Sequence, residues 1–296
     1  MTGVAAIVLL LAGVIGLQLA RERVAPLAPA PTENMLYVRS PEFARRAMLS
    51  YDQLAADVYW IRAVQHYGST RLAHDGAKTY DVLYPLLDLT TSLDPRFNAV
   101  YRFGSIFLAE PPPAGPGRTD QAIALLQKGL KAQPDKWEFA QDIGFVYYWW
   151  SHDYQRAAEW FQRAAAMPKA PNWMAALAAV TLTEGGNRET SRRLWQELAN
   201  RSDPDEDWLR DQARFRLRQL DALDQIAALE RRVQQYRQQT GARPQSWFDL
   251  IRARYLSGIP IDSEQYPFQL NPESGAVTLD PKSPLNPLPT AEKPRA

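Results

Sequence analysis

Pro95, Pro134, Pro168 and Pro204 stand 39, 34 and 36 residues apart, and each closes an amphipathic run with helical periodicity. Proline lacks an amide proton and clashes with the preceding turn, so each of these positions ends a helix. Two helical runs fit between successive prolines, which makes the middle of the chain a repeat of helix pairs. A unit of that size cannot bury its apolar face alone. It must stack on its neighbours, and the expected product is an all-α fold, an α-solenoid with one open face for other proteins.

Composition narrows the function classes. Hydrophobic side chains make up 46% of the 296 residues, enough for a core of domain size. Basic and acidic side chains number 34 and 33, so no net field draws the chain to a polyanion, and no nucleic acid partner is expected. Cysteine is absent, which removes disulfides, thiolate nucleophiles, cysteine-held zinc and a lipoprotein anchor. His66, His74 and His152 have no metal-binding spacing. Neither a nucleophile elbow nor a P-loop or dinucleotide fingerprint occurs, and Gly115-Pro116-Gly117 follows a proline run rather than a strand. The expectation is a chain without catalytic residues, cofactor or metal, and no small-molecule substrate is inferred.

Residues 1–20 carry no charged side chain, and twenty helical residues span roughly 30 Å, the thickness of a bilayer core. The segment has no basic start, and its candidate cleavage site, Ala28-Pro29-Ala30, runs into Pro31. It is therefore expected to be an uncleaved anchor at the membrane. Arg21 and Arg23 follow it, and the positive-inside rule read literally would keep the C-terminal side in the cytoplasm; they are only two, with the acid Glu22 between them, and the globular part is expected on the extracytoplasmic, periplasmic side. Residues 21–40 hold Pro26, Pro29 and Pro31 and read as a semi-rigid linker.

Helical repeats are expected over residues 41–204. Ser40 followed by Pro41 starts a short helix to Leu49. The first pair covers residues 51–67, with Leu54, Val58, Ile61 and Val64 as its apolar stripe, and residues 80–93. A second pair begins at Phe97, with Tyr101, Ser105 and Leu108 on one face, and resumes at residues 119–132 after a proline-rich loop. That loop accounts for the longest step of the ladder. The third pair covers residues 137–150 and 154–167, and the fourth covers 172–184 and 188–200 around Gly185-Gly186-Asn187.

In the third pair, Ile143-Gly144, Tyr147, Ala157, Phe161 and Ala164 resemble the tetratricopeptide repeat (TPR) pattern, and Gly104, Ala122, Leu126, Gly129 and Pro134 are similar in the second. The first and fourth pairs depart from it, with Leu83, Leu87, Trp195 and Leu198 among their large residues. The resemblance implies a solenoid engaged in protein–protein interaction. Its concave groove, carried over through Gly144, would hold Gln141, Phe145, Tyr148 and Trp149, with Tyr101 and Met174 from the adjacent pairs. The run Phe145, Tyr147, Tyr148, Trp149 and Trp150 is too aromatic to face one core from one turn and a half. Groove contact and sealing of the inter-repeat core are both open readings of it.

Residues 205–240 read as one long capping helix, in which Arg210, Arg214 and Arg218 stand four apart. They could meet an acidic partner or pair with Asp207, Asp211, Asp221 and Asp224. Residues 241–280 hold a short helix at 245–255, then a β-hairpin of 266–270 and 276–279 around Asn271-Pro272-Glu273-Ser274-Gly275. The run from Tyr236 to Pro244, with Leu250, Gly258-Ile259-Pro260 and Gly275-Ala276-Val277, is similar to the C-terminal part of secretion-system pseudopilins, without their N-terminal processing signature. Residues 281–296 are expected to be a disordered tail. Asp57, an acid in an apolar run, is expected to be buried against a helix end or Arg62. The whole implies a membrane-tethered scaffold that binds a protein or peptide of a cell-envelope complex, or else a structural part of a secretion or pilus-like assembly.

Overall fold

The computed structural model describes residues 10–17, 43, 46, 50–73, 78–202 and 206–289. Residues 10–17 are helical, while most of the expected anchor, the linker and the short helix at 41–49 lie outside the described residues. Among the described residues, no helix is long and apolar enough to cross a membrane. The chain is mostly helical and divides into two compact units: Met1–Val100 with Pro112–Pro116, and Tyr101–Pro111 with the remainder from Gly117.

In the first unit α1 (Asp52–Leu72) packs on α2 (Leu83–Leu93). Helix α2 buries Leu83, Leu86, Leu87, Leu89 and Leu93, each contributing about 1.5–3 kcal/mol relative to exposure. Thr90 and Thr91 sit in that apolar surface by donating their hydroxyls to the carbonyls of Leu86 and Leu87, at 2.7 and 2.9 Å. Helix α1 offers Ala55, Ala56, Tyr59, Ala63 and Tyr67 to the core. Leu54, Val58, Ile61 and Val64, expected to face inward, are exposed instead. The alanines let the neighbouring helix approach closely, and the two tyrosines supply the buried area, so small residues outcompete the aliphatic stripe for the interface. Asp57 is likewise exposed, which removes it as a buried acid.

The second unit runs helix by helix: most of α3 (Asn98–Ala109), then α4 (Thr119–Ala132), α5 (Trp137–Val146), α6 (Tyr154–Ala165), α7 (Trp173–Glu184), α8 (Arg188–Ala199) and α9 (Asp207–Thr240). From α4 to α9 each helix packs on the next. Close crossings explain the small residues. A Cβ at Gly129 would lie 3.0 Å from both Phe139 and Tyr101, and one at Gly144 would lie 2.4 Å from the Phe161 ring. The interhelical cores include Phe161, Met174, Ala178 and Leu182, then Trp195, Leu198, Leu209 and Leu220, all buried.

Helix α9 ends at Gly241 in the left-handed region, φ +69°. The chain then returns along it. Ser246 and Asp249 form a capping box at the start of α10 (Trp247–Arg252). Strands β1 (Gln269–Leu270) and β2 (Val277–Thr278) pair antiparallel with Leu270 opposite Val277, so the expected hairpin is present with shorter strands. Trp247, Leu250, Phe268, Val277, Leu279 and Leu285 form one cluster with Ala222, Leu229 and Val233 of α9. The expectation of a disordered tail is corrected for residues 281–289. Leu285 is fully buried, and Gln219 donates its side-chain amide to the carbonyls of Leu285 and Pro287 at 2.8 and 2.9 Å. Prolines that weaken regular structure still allow a chain to be held by side-chain donors. Residues 290–296 lie outside the described residues.

Candidate protein-binding face

The α-helical hydrogen bonding of α5 stops at Val146, and Tyr147–Ser151 form a π-helical turn, where the run of aromatics expected as plain helix lies. His152 closes it in the left-handed region, φ 51°, and Asp153 then caps α6 by accepting from the Arg156 amide at 2.9 Å. A π turn inserts one residue per turn and so rotates the side chains that follow, which is why such turns recur where a helix must aim a residue off its regular face. Here the turn sorts the cluster. Phe145 stacks edge-on to Phe161 at 5.2 Å and is half-buried. The Tyr148 ring meets Tyr154 at 5.3 Å, and its hydroxyl donates to Glu184 at 2.6 Å. Trp149, packed edge-on to Tyr148 at 4.9 Å, remains 59% exposed.

The other expected groove residues lie deeper. Tyr101 and Met174 are both fully buried, Tyr101 against Phe139 at 5.1 Å and Met174 in the core around Phe161, so neither offers surface to a partner. The carry-over placed them by repeat position, whereas the close crossing at Gly129 draws the Tyr101 ring inward. Gln141 is 8% exposed. The structure thus gathers Phe145, Tyr148 and Trp149 on one turn, with Trp149 as the outward ring, and puts Tyr101, Gln141 and Met174 in the interior.

Sequence reasoning missed other exposed apolar side chains on the first helices of the pairs: Phe103 at 54% and Ile106 at 44% on α3, and Trp173 at 42% at the start of α7. Trp173 stands edge-on to Trp137 at 6.4 Å. The periodicity of α3 puts Phe103 and Ile106 opposite Tyr101 and Leu108, a signal that was available in the sequence. Beside them Arg102 clamps Asp142 bidentately at 2.6 and 3.1 Å, joining α3 to α5. Burial pushes the Asp142 carboxyl above its usual range despite the opposing bonds from Arg102, and those bonds raise the guanidinium.

The arginines of α9 resolve into ion pairs. Arg210 bonds Asp207, Arg214 lies 3.5 Å from Asp211 and Arg218 lies 3.0 Å from Glu264, while Asp221 and Asp224 accept from Arg192 of α8. Such exposed pairs add at most about 1 kcal/mol each. A cleft of about 470 Å³ near the end of α9 is lined by Gln234, Arg237, Gln238, Gly241 and Arg243, with no acid–base pair or nucleophile among them. His66 and His152 lie in different units, His74 lies outside the described residues, and no metal-binding cluster occurs among the described residues. Comparison with protein-family models, with curated proteins and with solved structures finds no match.

Proposed function

We propose that this chain is a membrane-tethered scaffold of the tetratricopeptide type, which holds a protein or peptide segment of a cell-envelope complex by burying it against the first helices of its pairs, without a catalytic step. The observation that carries the reading is Trp149: a tryptophan 59% exposed on a π turn whose neighbour Tyr148 is fixed by Glu184. A large, rigid, amphipathic ring held in place by its surroundings is what interface hot spots use, because little entropy is lost when it is covered. Phe103, Ile106 and Trp173 extend the apolar character of those helices. The tether is supported by the uncharged residues 1–20, of which Leu10, Leu11, Val14, Ile15 and Leu17 are helical and exposed. An extracytoplasmic position of the globular part belongs to the same proposal.

A second reading, a structural part of a secretion or pilus-like assembly, is favoured by Phe248 at 62%, Ile259 at 47% and Ile261 at 46% exposure on the C-terminal subdomain. Truncating that subdomain would not separate the two, since it would strip Phe268, Val277, Leu279 and Leu285 from the cluster on α9. Surface substitutions do. Crosslinking capture from membranes is expected to fail for Trp149→Ala and for Phe103→Ala with Trp173→Ala, with thermal midpoints near that of the parent. Undiminished capture in both variants sinks the proposal, and loss confined to Phe248→Ser with Ile259→Ser establishes the second reading instead.

A further inference from the structure

We propose that the outer face of α1 is the seam of a parallel, in-register dimer of this chain. Helix α1 is apolar on two opposite faces. Its inner face packs on α2, while Tyr51, Leu54, Val58, Ile61, Val64 and Leu72 stand 69%, 62%, 41%, 53%, 39% and 72% exposed. At 100° per residue these side chains fall on one stripe, opposite Ala55, Ala56, Tyr59, Ala63 and Tyr67.

The spacing of the stripe identifies its occupant. Within α1, positions 54, 58, 61, 65, 68 and 72 alternate steps of four and three, placing Val58, Gln65 and Leu72 at a and Leu54, Ile61 and Gly68 at d, with Leu54, Val58, Ile61 and Leu72 as the apolar members. A core stripe of a globular helix has no need of a strict 3.5-residue period, whereas the seam between two helices does. Gly68 is the second observation. Mid-helix glycine costs about 1 kcal/mol relative to alanine, yet a Cβ there would meet nothing within 4 Å among the described residues. Close approach of a second backbone accounts for it.

Charge fixes the direction. Asp57 occupies a g position, and the e position five residues on is Arg62. A parallel two-fold pair brings each Asp57 to Arg62 of the second copy twice, across a seam whose a and d positions meet their own equivalents. A heptad that complements itself in register and in charge fits a second copy of this chain better than an unrelated helix. The seam lies wholly in the first unit and uses none of the side chains assigned to partner capture.

The absence of cysteine makes the test clean. In membranes holding the full chain, Leu54→Cys is expected to give a disulfide dimer as the main band on mild copper-phenanthroline oxidation, and Gln53→Cys, exposed off the seam, to remain monomeric. Adding Val58→Lys and Ile61→Lys to Leu54→Cys should abolish the dimer band while far-ultraviolet circular dichroism keeps the parent's helix content, because all three residues are exposed in the single chain and only the seam is lost. Detergent-extracted parent should show twice the mass of the chain by light scattering. The proposal is overturned by a monomer mass, by equal crosslinking at positions 53 and 54, or by a dimer that forms only when Leu54→Cys is combined with Gln65→Cys, which is the antiparallel register. Protection of the stripe by lipid vesicles in a monomeric chain overturns it as well.

Discussion

At Gly144 two opposing effects can be weighed. Alanine in place of a mid-helix glycine ordinarily stabilises by about 0.5–1 kcal/mol through backbone entropy. Its Cβ, however, would lie 2.4 and 2.5 Å from two carbons of the Phe161 ring, which is fully buried and wedged against Phe145. A ring with no free volume behind it cannot retreat, and overpacking of this kind costs about 1–3 kcal/mol. Gly144→Ala is therefore expected to lower stability by about 1–2 kcal/mol in urea unfolding, the clash outweighing the entropy gain. Combining it with Phe161→Leu should give less than the sum of the two losses, since the smaller side chain relieves the contact. An alanine variant as stable as the parent would show that the crossing is looser than the geometry states. The sequence carried this residue legibly, since Gly144 stands at a small position of the repeat pattern that the third pair resembles. It carried Tyr101 and Met174 less well, because a position in a repeat says which helix face a side chain starts from and not whether the next helix covers it.

Helices α4, α6 and α8 match their expected spans to within two residues because each has a clear apolar stripe and a stop signal. Where one helix is apolar on both faces, as α1 is, periodicity cannot choose between them, and the larger aliphatic set misled. The π turn left no mark in the pattern, since a one-residue insertion in hydrogen bonding leaves the composition unchanged. The C-terminal return shows a third kind of failure. Its prolines and short polar residues read as disorder, yet Ser283 donates to buried Asp262 at 2.5 Å and Leu285 fills the cluster on α9. Those partners lie 21 and more residues away, beyond what local composition reports. The consequence is measurable, because Leu285→Ala should cost about 2–5 kcal/mol, the range for a fully buried leucine. A change under about 0.5 kcal/mol, the range for surface positions, would restore the disordered tail.

Across the whole molecule the charges nearly balance, so its pH response depends on where the few shifted groups sit rather than on net repulsion. His66 is 2% exposed in the first unit, edge-on to Tyr80 at 6.3 Å, with no hydrogen-bond partner at Nε2 among the described residues. Burial lowers its pKa below the ordinary 6.5, against a weaker opposing pull from Asp81. The neutral ring is thus favoured by folding, and that stability is complete above the unfolded value and lost as pH falls through the folded one. Asp142, in the second unit, shifts upward, so its charged form is disfavoured by folding and acidification relieves that cost. The two units should respond with opposite signs. Hydrogen exchange compared at about pH 7.5 and about pH 5.5, corrected for intrinsic rates, should show lost protection in α1 and α2, with none lost in α5 on account of Asp142. In His66→Phe the acid-induced loss in α1 should vanish, because a neutral ring has no proton to take up. Equal losses in both units would mean that acid acts on the chain as a whole and not through this histidine.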